Sequence, residues 1–148
     1  MMISTKGRYA LRVMLDLALH RGEGHIPMKE VARRQGISLK YIERIMPAFS
    51  KKGLVDGIHG KGGGYCLNRE PNMYTVGEIL RLTEGELAPV ACLKDGALPC
   101  ERREECRTLS MWTRFYEMTN SYFDSITLAD LLEEKSDLGD TDHFQFTK

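Results

Sequence analysis

Residues 26–69, IPMKEVARRQGISLKYIERIMPAFSKKGLVDGIHGKGGGYCLNR, decide the fold. Pro27 suits the first turn of a helix, where its missing N–H would have had no partner. Val31 and Ala32 can face inward while Glu30, Arg33, Arg34 and Gln35 face water. Gly36 fits the left-handed position just past a helix end, and Ser38 can cap the next helix through its hydroxyl. In that second helix Leu39, Ile42, Met46 and Phe49 recur on one apolar stripe, and Lys40, Tyr41, Glu43, Arg44 and Lys51 take the other side. Gly53 ends it. Residues 54–59 and 65–69 then pattern as two short strands around Gly60-Lys61-Gly62-Gly63-Gly64. The expectation is a mainly α chain with a small β-hairpin wing: a winged helix-turn-helix, whose partner is double-stranded DNA.

Pro47 falls inside the second helix, so the helix is expected either to kink there or to break, with Pro47 opening a fresh turn. Base reading would then fall to residues 38–44, at the N-terminal end. In the hairpin, His59 and Lys61 flank or interrupt the glycines and can enter a minor groove or grip phosphate. A nucleotide-binding P-loop is excluded, because tyrosine and a strand follow the glycines where Lys-Ser/Thr and a helix are required.

Working outward, the charge is divided. The formal net charge is zero, yet residues 1–70 hold 13 Lys+Arg against 6 Asp+Glu, and residues 71–148 hold 8 against 15. A net of +7 is thus joined to a net of −7. A basic module for nucleic acid joined to a half with another task accounts for it; chance clustering of solvated charge is the plain alternative. No secretory signal or bilayer-length apolar run is present, which predicts a cytoplasmic protein. Ser4 or Thr5 can cap a first helix to about Leu19, with Lys6, Arg8 and Tyr9 in its first turn. Cations are disfavoured at that end of a helix, which makes sense opposite a phosphate backbone. Thr75-Val76-Gly77-Glu78 is a capping box opening a short helix through Leu82.

From Cys106 to Ile126 the helical period is clearest. Leu109, Trp112, Tyr116, Thr119, Phe123 and Ile126 form one stripe, and Met111, Phe115, Met118 and Tyr122 form a second beside it. Ser110, Thr113, Arg114, Glu117, Asn120, Ser121 and Asp124 fill the far side. An apolar face this wide can cover the winged helix with one stripe and meet a second copy with the other. A twofold dimer would match a palindromic operator; a single helix buried in a monomer is the alternative. The expected organisation is a DNA-binding domain over 1–83, a cysteine-bearing loop over 84–105, a dimerisation helix with a short last helix over 106–134, and a polar tail over 135–148.

Cys92, Cys100 and Cys106 are spaced C-x7-C-x5-C, while Cys66 stands apart as core filler. Arg102, Arg103, Arg107 and a helix start at Cys106 would lower a thiol pKa. Spacing leaves an iron–sulfur cluster, thiol redox sensing, zinc and no ligand all open. No nucleophile–base pair or paired carboxylates suggest an enzyme.

The segments Ser4-Thr5-Lys6-Gly7-Arg8-Tyr9-Ala10-Leu11, Gln35-Gly36-Ile37-Ser38, Lys52-Gly53-Leu54-Val55 and Gly62-Gly63-Gly64-Tyr65 resemble the signatures of the bacterial regulator family that includes IscR, NsrR and CymR. So do the three cysteines before Leu109-x-x-Trp112 and the run Ile126-Thr127-Leu128. The resemblance covers about residues 2–134. It implies a homodimeric winged-helix transcription factor, repressor or dual regulator. Its DNA contacts would be Lys6, Arg8, Tyr9, Ser38, Lys40, Tyr41, Glu43, Arg44, Lys51, His59 and Lys61, and its dimer helix would carry Leu109, Met111, Trp112, Phe115, Tyr116, Met118 and Tyr122. In cluster-bearing members the three cysteines hold an iron–sulfur centre, here 2Fe–2S in preference to 4Fe–4S, sensing iron–sulfur status, redox or nitric oxide. Two departures stand out: Leu109 occupies the position of the histidine ligand of IscR-like members, and Arg8 that of the NsrR-like aspartate. The fourth ligand stays open among Glu104, Glu105, a histidine, a small molecule and Cys66. CymR-like members imply the alternative, a cluster-free regulator controlled by thiol oxidation or a partner protein.

Overall fold

The computed structural model of the chain describes residues 2–133; the expected polar tail lies outside them. The first helix, α1 (Thr5–Leu19), opens at Ser4, whose hydroxyl accepts from the Gly7 amide at 3.3 Å. Ala10, Val13, Met14 and Leu17 are its buried face. That face also contains Asp16, 1% exposed. Charge so deep needs partners. Arg34 grips both carboxylate oxygens, with Nη2 at 2.6 Å from Oδ1 and Nε at 3.1 Å from Oδ2, and Gln35 donates at 2.9 Å.

Arg34 and Gln35 come from α2 (Met28–Gln35), so this cluster fixes the first helix of the helix-turn-helix against α1. Pro27 sits at the N-cap of α2, one residue earlier than expected, and Gly36 takes the left-handed conformation that ends it, φ 62°. The second helix, α3 (Leu39–Lys51), buries Ile42, Ile45, Met46 and Phe49. Leu39, expected on the same stripe, is half-buried because the first turn projects beyond the core.

One expectation for α3 changes and another narrows. Ser38 is the N-cap residue, but its side chain makes no capping bond; its backbone carbonyl instead accepts from Tyr41 and Ile42 at 3.0 and 3.1 Å. The hydroxyl is left facing outward. Pro47 neither opens a new helix nor divides the old one, since α3 runs through it. The donor that proline lacks would have served Glu43, which is exposed, so water can hydrate that carbonyl.

The hairpin pairs β1 (Val55–Ile58) with β2 (Gly64–Leu67) in antiparallel register, Val55 opposite Leu67 and Ile58 opposite Gly64. It is fastened to Ile26, just before the Pro27 N-cap of α2. Ile26 and Tyr65 exchange both backbone hydrogen bonds, at 2.8 and 3.0 Å. Gly64 permits this approach, because a Cβ there would overlap the Ile26 carbonyl. Cys66, expected as core filler, is half-buried on the strand, and burial raises its thiol pKa, with Asp56 adding to the effect. Beneath the hairpin, fully buried Tyr74 donates to the Leu54 carbonyl at 2.7 Å.

The fourth helix, α4 (Val76–Glu84), is capped by Thr75, which accepts from the Glu78 amide at 3.0 Å. Only this half of the capping box forms, since the Glu78 carboxylate pairs with Arg69 at 3.1 Å. The helix also runs one turn-fraction past Leu82, to Glu84.

After an exposed loop come α5 (Leu109–Ser125) and α6 (Leu128–Glu133). The α5 start is three residues later than the periodicity indicated. Residues 101–106 are polar and exposed, with nothing to dock, and their backbone bonds are three-residue turns such as Cys106 N–H to the Arg103 carbonyl. The α6 helix returns to the first domain: Leu128 is fully buried in its core, and its amide donates to the Tyr74 carbonyl at 3.0 Å. Asn120 and Asp124, expected on the solvent side of α5, instead accept from Arg81 of α4.

Candidate DNA-facing surface and cysteine depression

One surface collects basic and aromatic groups from α1 and α3. Lys6, Tyr41 and Arg44 line one shallow depression, with Ile45 at its floor. Tyr9 meets Tyr41 edge-to-face, ring centroids 5.4 Å apart. Arg12 lies over the Tyr9 ring at 5.5 Å and donates to the Gln35 carbonyl at the end of α2. Aromatic contacts of this kind hold ring and cation in fixed orientation. Arg8 turns back to Thr5 at 3.1 Å.

Ser38, Lys40, Glu43 and Arg44 are exposed along the first turns of α3, and Lys51 lies exposed at its far end. Arg44 and Lys51, two turns apart, are about 10 Å from each other along the axis. His59 and Lys61 are exposed at the hairpin tip, away from that depression. Arg12, absent from the sequence-based set, adds a second tie between Tyr9 and the helix-turn-helix, beside the Tyr9–Tyr41 contact.

The second cluster is on the loop. Cys92, Cys100, Cys106, Arg103 and Leu109 line one small depression. All three thiols are free and exposed. The Cys106 pKa is lowered, first by its hydrogen bond with the Thr108 hydroxyl at 3.5 Å, then by the Thr108 amide, with Arg102 a lesser contributor. A helix start at Cys106 is not the cause, because α5 begins at Leu109. Glu104 and Glu105 are not in the lining, nor is Cys66, which borders a separate groove with His20 and His25.

Among the described residues no group of three or more His, Cys, Asp and Glu side chains is set to hold a single metal ion. A lone ion needs its donors in one tight shell, whereas a polynuclear cluster distributes thiolates over several irons. Three thiolates are a soft donor set of the kind that iron–sulfur clusters and zinc take, and Leu109, also in the lining, brings no ligand atom.

On α5, Tyr116 turns inward, packing beside Val76, Leu80 and Leu87 and donating to Glu86 at 2.8 Å. Trp112 is half-buried and meets Phe115 edge-to-face at 6.5 Å. Met111, Phe115, Met118 and Tyr122 are 43–71% exposed along one side. The two stripes thus face different surroundings.

The model of the Rrf2 family, described as iron-dependent transcriptional regulators, matches residues 3–134. The chain belongs to the Rrf2 family. Rrf2 proteins are transcriptional regulators, not enzymes, and DNA binding in that role is this chain's activity. The HTH-type transcriptional regulator IscR of Yersinia enterocolitica is 35% identical over 135 residues, covering 91% of this chain and 81% of that protein. Among solved structures, CymR, the global cysteine regulator of B. subtilis, aligns with TM-score 0.72 and 37% identity over 88% of this chain and 95% of that one. IscR of T. potens aligns with TM-score 0.69 and 39% identity over 89% and 86%. This Rrf2 chain thus shares the winged helix-turn-helix with both kinds of relative. No described helix is long and apolar enough to cross a membrane.

Proposed function

We propose that the protein is a cytoplasmic homodimeric repressor or dual regulator whose hold on a palindromic promoter operator is switched by an iron–sulfur cluster. Cys92, Cys100 and Cys106 would hold the cluster, 2Fe–2S in preference to 4Fe–4S, with the fourth ligand drawn from outside this set. The observation that carries it is the shared depression lined by the three thiols, with a cation, Arg103, beside them. A bound cluster supplies sensitivity to iron supply, oxidants and nitric oxide. The chain's own residues do the rest. Lys6, Arg8 and Lys51 anchor phosphates; Ser38, Lys40, Tyr41, Glu43 and Arg44 address base edges, with Tyr9 bracing Tyr41; His59 and Lys61 enter the minor groove. Two copies associate through Met111, Phe115, Met118 and Tyr122, with Leu109 and Trp112 at the margin and Tyr116 supporting from within.

The test is an iron and acid-labile sulfide assay with a visible spectrum on anaerobically purified protein. Stoichiometric iron and sulfide that vanish in Cys92→Ala, Cys100→Ala and Cys106→Ala but persist in Cys66→Ala support the proposal. Colourless, iron-free protein with unchanged operator binding refutes the cluster switch.

Leu109 lining the thiol depression favours a second reading, in which no cluster binds and the exposed, more acidic Cys106 thiol responds to oxidation directly. Control by a partner protein belongs to the same class. In that case iron is absent, and peroxide treatment alone changes operator affinity.

A further inference from the structure

The turn after α4 joins two contacts that are remote in sequence. Glu84, its last residue, accepts from the Ser4 hydroxyl at 2.6 Å, while Ser4 itself caps α1. That approach requires glycine at position 7, because a Cβ there would overlap the Glu84 carboxylate. Just beyond, Gly85 turns the chain with φ 76°. The Glu86 carboxylate then accepts from the Asp95 amide on both oxygens, at 2.9 and 2.8 Å, and from the Tyr116 hydroxyl at 2.8 Å. Asp95 stands between Cys92 and Cys100. Leu87, 2% exposed, pins the backbone next to these bonds in a small core with Val76 and Leu80, against which Ile3, Leu11 and Tyr116 also pack.

We propose that residues 84–86 act as a strap coupling the cysteine loop to the first turn of α1, so that displacement of Asp95 is felt where Lys6 and Arg8 meet DNA. Bonds to carboxylates are stronger than neutral ones, and each anchors a different element. If Asp95 withdraws, Glu86 loses its loop partner and keeps only Tyr116, so the Gly85 turn, held beyond that by Leu87 alone, can shift more easily. Glu84 then moves off Ser4, removing both a cap support and a favourable negative charge from the α1 N-terminus. The cysteine loop's role as input rests on the function proposed above; the strap is a separate claim about two hydrogen-bonded ends.

Hydrogen exchange of the full-length protein tests it. Glu86→Gln keeps the shape but cannot accept on both oxygens, and Tyr116→Phe removes one partner while keeping the ring. Both are expected to speed exchange at the Gly7 and Arg8 amides, Glu86→Gln by about fivefold, relative to the Ile45 and Met46 amides of α3. The α3 reference separates coupling from global destabilisation. Faster exchange confined to residues 91–97, with Gly7 and Arg8 unchanged, overturns the strap. Alkylating the loop thiols with iodoacetamide then tests the input. Unchanged operator affinity in the wild type refutes the sensor role alone, whereas an affinity change that persists undiminished in Glu86→Gln refutes the strap.

Discussion

The two halves of this regulator are built differently. Each of α1 to α4 has at least three buried residues, and α6 adds Leu128 to the same core. From residue 88 to residue 127 no side chain is fully buried. The reading head is therefore held by a packed core, which α6 completes. The cysteine loop and α5 instead take their order from what touches them: Arg81 and Glu86 on one side, and an open apolar stripe on the other. Under the function proposed above, this lower local stability would let the loop respond to a bound cluster.

The contrast is sharpest under substitution. Phe49→Ala, at a site 1% exposed, is expected to cost about 4 kcal/mol, a large part of a domain's total stability, measured by urea unfolding. A loss below about 1 kcal/mol would mean the head does not depend on this core.

Next comes Arg34→Ala, which strands Asp16 in the core and should cost about 3 kcal/mol. Burial pushes the Asp16 pKa up, but the bonds from Arg34 and Gln35 outweigh it and hold the carboxyl below its usual value. Its contribution is therefore complete above the unfolded pKa of about 4 and is lost as pH falls through the lower folded value. Asp16→Asn should flatten this acid limb of the stability curve; an unchanged limb would assign it to other carboxylates.

On the other side of the comparison, Phe115→Glu should leave the head folded while weakening self-association at least about thirtyfold. Sedimentation velocity over a concentration series reads this. A wild type that is monomeric throughout, or a variant that associates as well, would remove the dimer. The smallest effect is expected at the hairpin tip: Lys61→Ala should reduce the log–log salt slope of operator binding by about 0.9 per subunit, or about 1.8 for the dimer, with little change in preference among operators.

The head was largely legible because its helices carry single apolar stripes closed by local punctuation: Ser4, Thr75 and Gly36 all act where their chemistry suggests. Asp16 could have been flagged, since it falls among Val13, Met14 and Leu17 and a carboxylate there demands a partner. The second half was harder to read for a physical reason. The start of α5 was set too early because a periodic pattern does not reveal that the charged stretch before it has nothing to pack on. The gathering of three thiols around Leu109, and the Ser4–Glu84 and Glu86–Asp95 bonds, depend on loop paths with no repeating signal. Motif resemblance supplied the cysteines' significance; spacing left four chemistries open.

Gly64 carries a consequence for how such a reader can diversify. Where the hairpin abuts Ile26 there is no room even for a methyl group, so inherited variation at that seam is closed. Changes in the wing must therefore lie farther out, around His59 and Lys61, while the Ile26–Gly64 seam stays the same.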